Sequence, residues 1–456
     1  MRMVSQIQKA RVGLLSVLVA AAAFVLLSSS LASAQEAPTD VVEQSGINID
    51  VVAGARRTLI PLAIPDTISQ GTAAEVAEEI EGVLRRNFEI SGYFRILPES
   101  SFFFDTDAEG MSAGDIEFSN WFNVGAQGLI KSTVRQEEQG YLLDLRLFSV
   151  EQGRQILVDW VPNAVSREQI RDEVNRFINA VLLHFTGEEG IFGSRIAFAQ
   201  RGERGTKHIY TMEIDGSDRR RVSRFNGINM LPRFGPRGEL YFTSFRDGNP
   251  DLFVQRNGEL VKLSGQPGQN SGAAYCGGQL AVTLSRGSDT TNIYLINPQS
   301  GAIRTQLTNN SAIDVSPTWS PDCSKIAFVS GRSGGAHLFV MNADGTEQRR
   351  LTFQGTYNTT PDWSPRGDRI VFSGRDEFAA YDVFTVDLEG NIQRLTQDQG
   401  SNFEPSFSPD GRYILFTSDR GGQGKRIFLM TRDGQVQRPL THDGRSFEEP
   451  VWERTR

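Results

Sequence analysis

The feature that most narrows what this chain can fold into is an internal repeat filling its C-terminal part. A short apolar segment recurs six times: Arg195 to Gln200, Glu239 to Ser244, Gln279 to Leu284, Lys325 to Ser330, Arg369 to Gly374 and Tyr413 to Ser418. Aligned on Phe198, Phe242, Val282, Phe328, Phe372 and Phe416, the copies are spaced by 44, 40, 46, 44 and 44 residues. Around each segment the same order of signals returns. A Pro-x-aromatic-Ser-Pro run comes first, as in Pro317 to Pro321 and Pro361 to Pro365. A turn such as Asp410-Gly411 precedes the apolar strand, and a Gly-rich turn follows it. A second apolar strand then leads to Asp344-Gly345 or Asp433-Gly434, and the unit closes on a Leu-Thr pair: Leu351-Thr352, Leu395-Thr396, Leu440-Thr441. Four short strands joined by tight turns cannot bury their apolar faces alone, and a four-stranded unit of ~40–45 residues stacks on its neighbours as a propeller blade.

The ends of the array carry complementary fragments. The first copy opens on its apolar strand at Arg195 and lacks the Pro-x-aromatic segment, whereas Pro450-Val451-Trp452 is that segment alone. Pairing the two ends closes a ring and removes a free strand edge. The sequence therefore predicts a six-bladed all-β propeller over residues 194–456, sealed by the C-terminal strand, behind an α/β domain.

That N-terminal domain spans residues 35–186 and does not repeat. Leu59 to Ile64, Phe94 to Leu97, Leu129 to Val134, Leu142 to Phe148 and Ile156 to Val161 read as strands. Ala73 to Phe88 has the spacing of a helix, with Val76, Ile80, Val83, Leu84 and Phe88 on one stripe. A second helix follows Ser166, with Gln169 completing a capping box, and Gly187 stops it. Residues 187–193 are expected to form the hinge.

Residues 1–34 differ in kind. Arg2, Lys9 and Arg11 precede an apolar run from Val12 to Leu27, and Ala32-Ser33-Ala34 offers a small-residue cleavage site before Gln35. This is the pattern of a secretory signal peptide, cut between Ala34 and Gln35. Its removal from a chain of 47 basic and 55 acidic residues leaves a net charge of −11. An exported acidic chain is a poor partner for nucleic acid, whose nonspecific affinity needs clustered basic charge. No second apolar run of spanning length occurs, so direct insertion into a membrane is not expected.

Sites for chemistry are sparse. Gly331 to Gly335 fits the pattern of a nucleophile elbow, which requires a strand-to-helix turn; here it falls between two strands of one blade. Asp105, Asp107 and Glu109 begin like a calcium loop, but position twelve is Ile116 instead of a bidentate Glu. His184, His208, His337 and His442 show no ligand spacing, and His208 and His337 occupy equivalent places in two blades. Asp322 and Asp410 sit at blade turns. No catalytic residue, metal ligand or cofactor site is expected, and binding is the expected role. Cys276 and Cys323 follow corresponding segments of consecutive blades, so a disulfide between them is expected, with two separate thiols as the alternative.

The runs Pro317 to Asp322, Phe407 to Arg412 and Trp363 to Asp368 resemble the WD40-like repeats of the TolB family. The resemblance extends over leader, α/β domain with its Ile60 to Pro65 strand, hinge and blades. It implies a non-enzymatic, periplasmic component of a Tol-Pal system that maintains the outer membrane and its invagination during division. The implied partners are the lipoprotein Pal, the protein TolA and other outer-membrane proteins, with the chain a monomer within the complex. Pal would meet loops joining one blade to the next: Asn270, Gly272 and Ala273; Asp314 and Val315; Asn358 and Thr359; Asn402, Phe403 and Glu404; Phe447 and Glu448. Asn270 departs from a well-known family member, which carries His there. TolA would take the alternating segment Ile47, Asn48, Ile49, Asp50, Val51 and Val52 as an added strand. Two other classes remain in view: an exported propeller hydrolase or lyase, which would gather acid, base and nucleophile on inner strands, and a carbohydrate-binding ring, which would repeat Asp or aromatic residues in the blade-joining loops.

Overall fold

The computed structural model describes residues 59–71, 73–106, 108–375, 380–422 and 424–453. The expected leader, its cleavage site at Ala34 and Gln35, and the segment Ile47 to Val52 lie outside the described residues.

The N-terminal unit is a mixed sheet backed by helices. Its strands are β1 (Ile60–Ala63), β2 (Ile68–Gln70), β3 (Phe94–Ile96), β4 (Gly128–Glu137), β5 (Gly140–Ser149), β6 (Arg154–Ile156) and β7 (Asn163–Val165). The order is β3-β1-β4-β5-β6, with β2 also on β4 and β7 also on β5. Helices α1 (Ala74–Ser91) and α3 (Ile170–Thr186) pack on one face, and the short α2 (Phe118–Asn123) belongs to the cover of the other. The stripe of α1 is buried as its spacing predicts, and Ser166 and Gln169 form the capping box ahead of α3. One expectation fails: Ile156 to Val161 is not a strand. Pairing with β5 stops at Ile156, Leu157 turns with φ 54°, and Val158 and Val161 face solvent. No helix among the described residues is long and apolar enough to cross a membrane.

Six four-stranded antiparallel sheets follow. Named from their innermost strands, blade 2 starts at Asn229–Phe234, blade 3 at Asn270–Cys276, blade 4 at Asp314–Trp319, blade 5 at Asn358–Trp363 and blade 6 at Asn402–Phe407. Blade 1 takes its innermost strand from the other end of the chain: Phe447–Trp452 pairs with Arg195–Arg201, setting Phe447 opposite Gln200 and Trp452 opposite Ile196. The seam is fastened further. The Glu453 amide donates to the Arg195 carbonyl at 2.9 Å, the Arg195 guanidinium grips the Glu453 carboxylate at 2.8 and 2.9 Å, and the Trp452 indole donates to Ser194 at 2.8 Å.

The six alignment positions, Phe198 to Phe416, are fully buried on the second strands. The Leu-Thr motif also has a physical reason. Where the outer strand is short, the Thr hydroxyl accepts an amide hydrogen near the start of the third strand, as Thr308 does for Ile293, Thr352 for Leu338, Thr396 for Val383 and Thr441 for Ile427, at 2.9–3.0 Å. Each replaces a ladder bond that no backbone group supplies.

The two units share one apolar cluster, in which Phe88, Phe94 and Phe177 meet Phe198, Tyr413 and Leu415. Polar contacts tie the same seam: the Tyr413 hydroxyl donates to the Ser91 carbonyl at 2.8 Å, and Arg86 and Arg171 reach the Asp215 carbonyl and carboxylate, each at 2.5 Å. Gly92 caps α1 with φ 69°. A Cβ there would sit 3.1 Å from Val436, so blade 6 packs closely against the helix end.

Candidate functional site

The innermost strands meet around the axis, and every one of them carries the same distortion. Its pairing to the second strand slips between the second and fifth residues, and the residue at the slip is left-handed: Leu231 (φ 56°), Gly272 (66°), Ser316 (55°), Thr360 (50°), Glu404 (54°) and Glu449 (60°). Five of the six are not glycine, so the conformation is strained and must be held by its surroundings. A bulge re-aims the groups beside it. Here Leu231, Gly272, Ser316, Thr360 and Glu404 line the channel, while Glu449 is buried in the ring closure.

The channel has two mouths. One, a cavity of about 860 Å³, is lined by Glu188 and Glu189 of the hinge together with Tyr275, Trp319, Trp452 and the prolines of the blade turns. The other, of about 710 Å³, is lined by Leu231, Gly272, Val315, Ser316, Thr359, Thr360, Phe403 and Glu404, with no hinge residue at its wall.

This geometry corrects the expected loops. The twelve residues assigned to blade-joining loops lie in innermost strands instead. Asn270, Asp314, Asn358 and Asn402 are fully buried and act as hydrogen-bond hubs behind the channel wall. Asn270 donates to the Gln266 and Gly268 carbonyls and accepts from the Ser264 hydroxyl at 2.7 Å. Asp314 receives the Arg332 guanidinium at 2.8 Å, and Asn402 receives that of Arg420 at 2.8 Å. Asn358 donates to the Gln354 carbonyl at 2.9 Å. Ala273 is buried at the hinge-side mouth, while Phe447 and Glu448 are buried in the ring closure. Gly272, Val315, Thr359, Phe403 and Glu404 do line the open mouth. The physical reason is that a polar residue after a turn signal can satisfy the turn from inside the sheet as well as decorate a loop.

A charged cluster at the seam went unseen in the sequence. Glu448 is held by Lys207, by Arg201 at 3.0 Å and by Lys425 at 3.2 Å. Burial alone would raise its pKa, but these three cations hold it at about 2. Glu449 beside it accepts the Leu231 amide of blade 2, and its own amide donates to Glu404 of blade 6 at 2.7 Å. Burial, reinforced by Glu404 and opposed by Lys207 at 3.7 Å, pushes the Glu449 carboxyl up to about 7. The Glu-Glu pair next to Pro450 was the available signal, on the segment already assigned to closure.

Cys276 and Cys323 form a disulfide with Cα atoms 5.7 Å apart, linking blade 3 to blade 4. Gly331 to Gly335 joins two strands of blade 4. His208 and His337 each meet an arginine of their own blade, Arg221 at 2.9 Å and Arg350 at 3.1 Å. Asp322 accepts from Ser320 and Ser324, and Asp410 from Ser408 and Arg412, closing their own turns. In the loop that begins like a calcium site, Glu109 is buried and accepts from the Trp121 indole at 3.0 Å, with Lys131 at 3.7 Å.

Residues 47–156 match the family described as the TolB amino-terminal domain, and residues 183–455 match the TolB beta propeller domain. The Tol-Pal system protein TolB of Anaeromyxobacter dehalogenans (strain 2CP-1) is 38% identical over 304 residues, covering 66% of this chain and 66% of the relative, just under two thirds of its length. That of Desulfosudis oleivorans is 37% identical over 253 residues, covering 54% of this chain and 57% of the relative. The crystal structure of TolB from Acinetobacter baumannii superposes with a TM-score of 0.75 at 22% identity, covering 88% of this chain and 98% of that one, a likeness of fold.

Proposed function

The chain belongs to the TolB family, and from that premise we propose that it is a non-enzymatic periplasmic adaptor of a Tol-Pal system. In this reading the lipoprotein Pal docks on the channel mouth lined by Gly272, Val315, Thr359, Phe403 and Glu404, and TolA takes the segment Ile47 to Val52. The adaptor acts as a monomer within the complex, alongside other outer-membrane proteins, to maintain the outer membrane and its invagination during division.

The observation that carries the docking site is the pair of unlike mouths. Hinge residues Glu188 and Glu189 stand at one, whereas propeller residues alone line the other. A protein can therefore approach the second mouth without meeting the N-terminal unit. The bulges fix that rim rigidly, so little conformational freedom is lost on docking. Its lining changes from blade to blade, which suits a single asymmetric partner.

The test is calorimetric titration of the soluble domain of Pal into the full-length protein and its Val315→Arg variant. Val315 is half-buried at the rim, and a guanidinium there blocks the approach. The reading expects the variant to lose at least about thirtyfold in affinity, about 2 kcal/mol, while TolA still binds. Unchanged Pal affinity contradicts the docking site.

A further inference from the structure

The open mouth has two unlike walls. Blades 5 and 6 supply Tyr357, Tyr381 and Phe403, a continuous arc of half-buried rings with centroids 5.8 and 5.0 Å apart. The Lys425 ammonium lies 4.7 Å from the Phe403 ring. Burial pushes the Tyr357 hydroxyl up to about 12, so it stays protonated and able to donate. Blades 2 and 3 face this arc with amides and hydroxyls: Asn249, Gln269, Ser271, Ser285, Ser288 and Thr291. Thr291 is 7% exposed, and its hydroxyl has no hydrogen-bond partner among the described residues.

We propose that this cavity binds a short neutral oligosaccharide of two or three pyranose rings. A pyranose presents an apolar face of C–H groups and a rim of hydroxyls. The aromatic arc matches the first, and the Ser, Thr, Asn and Gln wall matches the second. The volume, about 710 Å³, lies within the roughly 300–1,000 Å³ of small-ligand sites. The charged lining residues are Arg233, Asp289 and Glu404, one cation against two carboxylates, which gives a phosphate or carboxylate ligand no attraction. The lining is one asymmetric cleft across blades 2 to 6 and does not repeat around the ring. The site does not rest on the adaptor reading; since both use the same mouth, bound sugar and docked Pal exclude each other.

Cellotriose and triacetylchitotriose, each added to the full-length protein in saturation-transfer NMR and calorimetry, test it. The expected result is binding of at least one trisaccharide at millimolar concentration or below, weakened about tenfold by Tyr381→Ala and by Phe403→Leu with an unchanged melting temperature. The proposal is overturned if neither trisaccharide receives saturation, or if binding persists undiminished in the Tyr381 and Phe403 variants. It is also overturned if those variants lose Pal while no sugar binds, which assigns the aromatic wall to the protein partner.

Discussion

The amide of Glu449 donates to the Glu404 carboxylate at 2.7 Å, one of the bonds that join the last strand of the chain to the blade preceding the seam. Glu404 also receives the Thr417 hydroxyl at 2.8 Å, and Glu449 in turn accepts the Leu231 amide. A belt of hydrogen bonds therefore runs through blades 6, 1 and 2 at the point where segments 247 to 258 residues apart in sequence meet.

That belt makes stability depend on pH in two directions. The Glu449 carboxyl titrates near 7 when folded, well above the ordinary value of roughly 4.3. The folded protein holds this proton more tightly than the unfolded chain, so this contribution weakens as pH rises from about 4.3 through 7. Glu449→Gln is expected to raise the melting temperature at pH 8 and to flatten its decline between pH 5 and 7.5. Identical slopes in the two proteins contradict the assignment.

Glu448 has the opposite sign. Lys207, Lys425 and Arg201 hold its folded value near 2, so its contribution is full above the ordinary value and is lost as pH falls toward 2. Glu448→Gln leaves three cations around a neutral amide. At pH 7 it is expected to destabilise the protein by about 2–4 kcal/mol, and by much less near pH 3. Denaturant unfolding at both pH values reads the difference.

The disulfide ties blades 3 and 4 across a separation of 47 residues. Closing a loop of that length stabilises the fold by about 2–4 kcal/mol. Thiol titration of the denatured, unreduced protein is expected to find no free cysteine, and the Cys276→Ser, Cys323→Ser double variant to unfold at lower denaturant. Two titratable thiols refute the bridge.

The propeller and the N-terminal unit are expected to melt as one body, because their apolar cluster is continuous. Gly92→Val forces a β-branched side chain into a left-handed position 3.1 Å from Val436. It is expected to cost more than about 1 kcal/mol and to split the calorimetric transition. A single unshifted transition argues against the packed seam.

Deleting residues 35–54 tests the other end of the adaptor reading. TolA binding is expected to vanish, while Pal affinity changes little or rises. Retained TolA affinity places its site elsewhere.

The blades were legible because two physical signals repeat together: an apolar strand buried on both faces, and the turn residues between strands. Phe198 and its five counterparts show this directly. The closing strand was legible from Pro450-Val451-Trp452 because a missing piece at one end matched a surplus at the other. The site was less legible. Asn270, Asp314, Asn358 and Asn402 follow turn signals and read as surface loops, yet each is sequestered in a hydrogen-bond hub, and sequence alone does not say which side of a strand a polar residue faces. The left-handed bulges left no trace either, since Leu231, Ser316, Thr360, Glu404 and Glu449 share no residue type that favours positive φ. Val158 and Val161 misled in the other direction, being apolar yet exposed between strands.

Closure by the tail is the central claim, and amide hydrogen exchange along Arg195–Arg201 tests it most directly. With Phe447–Trp452 in place, the Ala197 and Ala199 amides are expected to exchange as slowly as those of Ala327 and Val329 in blade 4. Exchange of Ala197 and Ala199 at the rate of an unpaired strand edge, with blade 4 still protected, would contradict a ring sealed by its C-terminal strand.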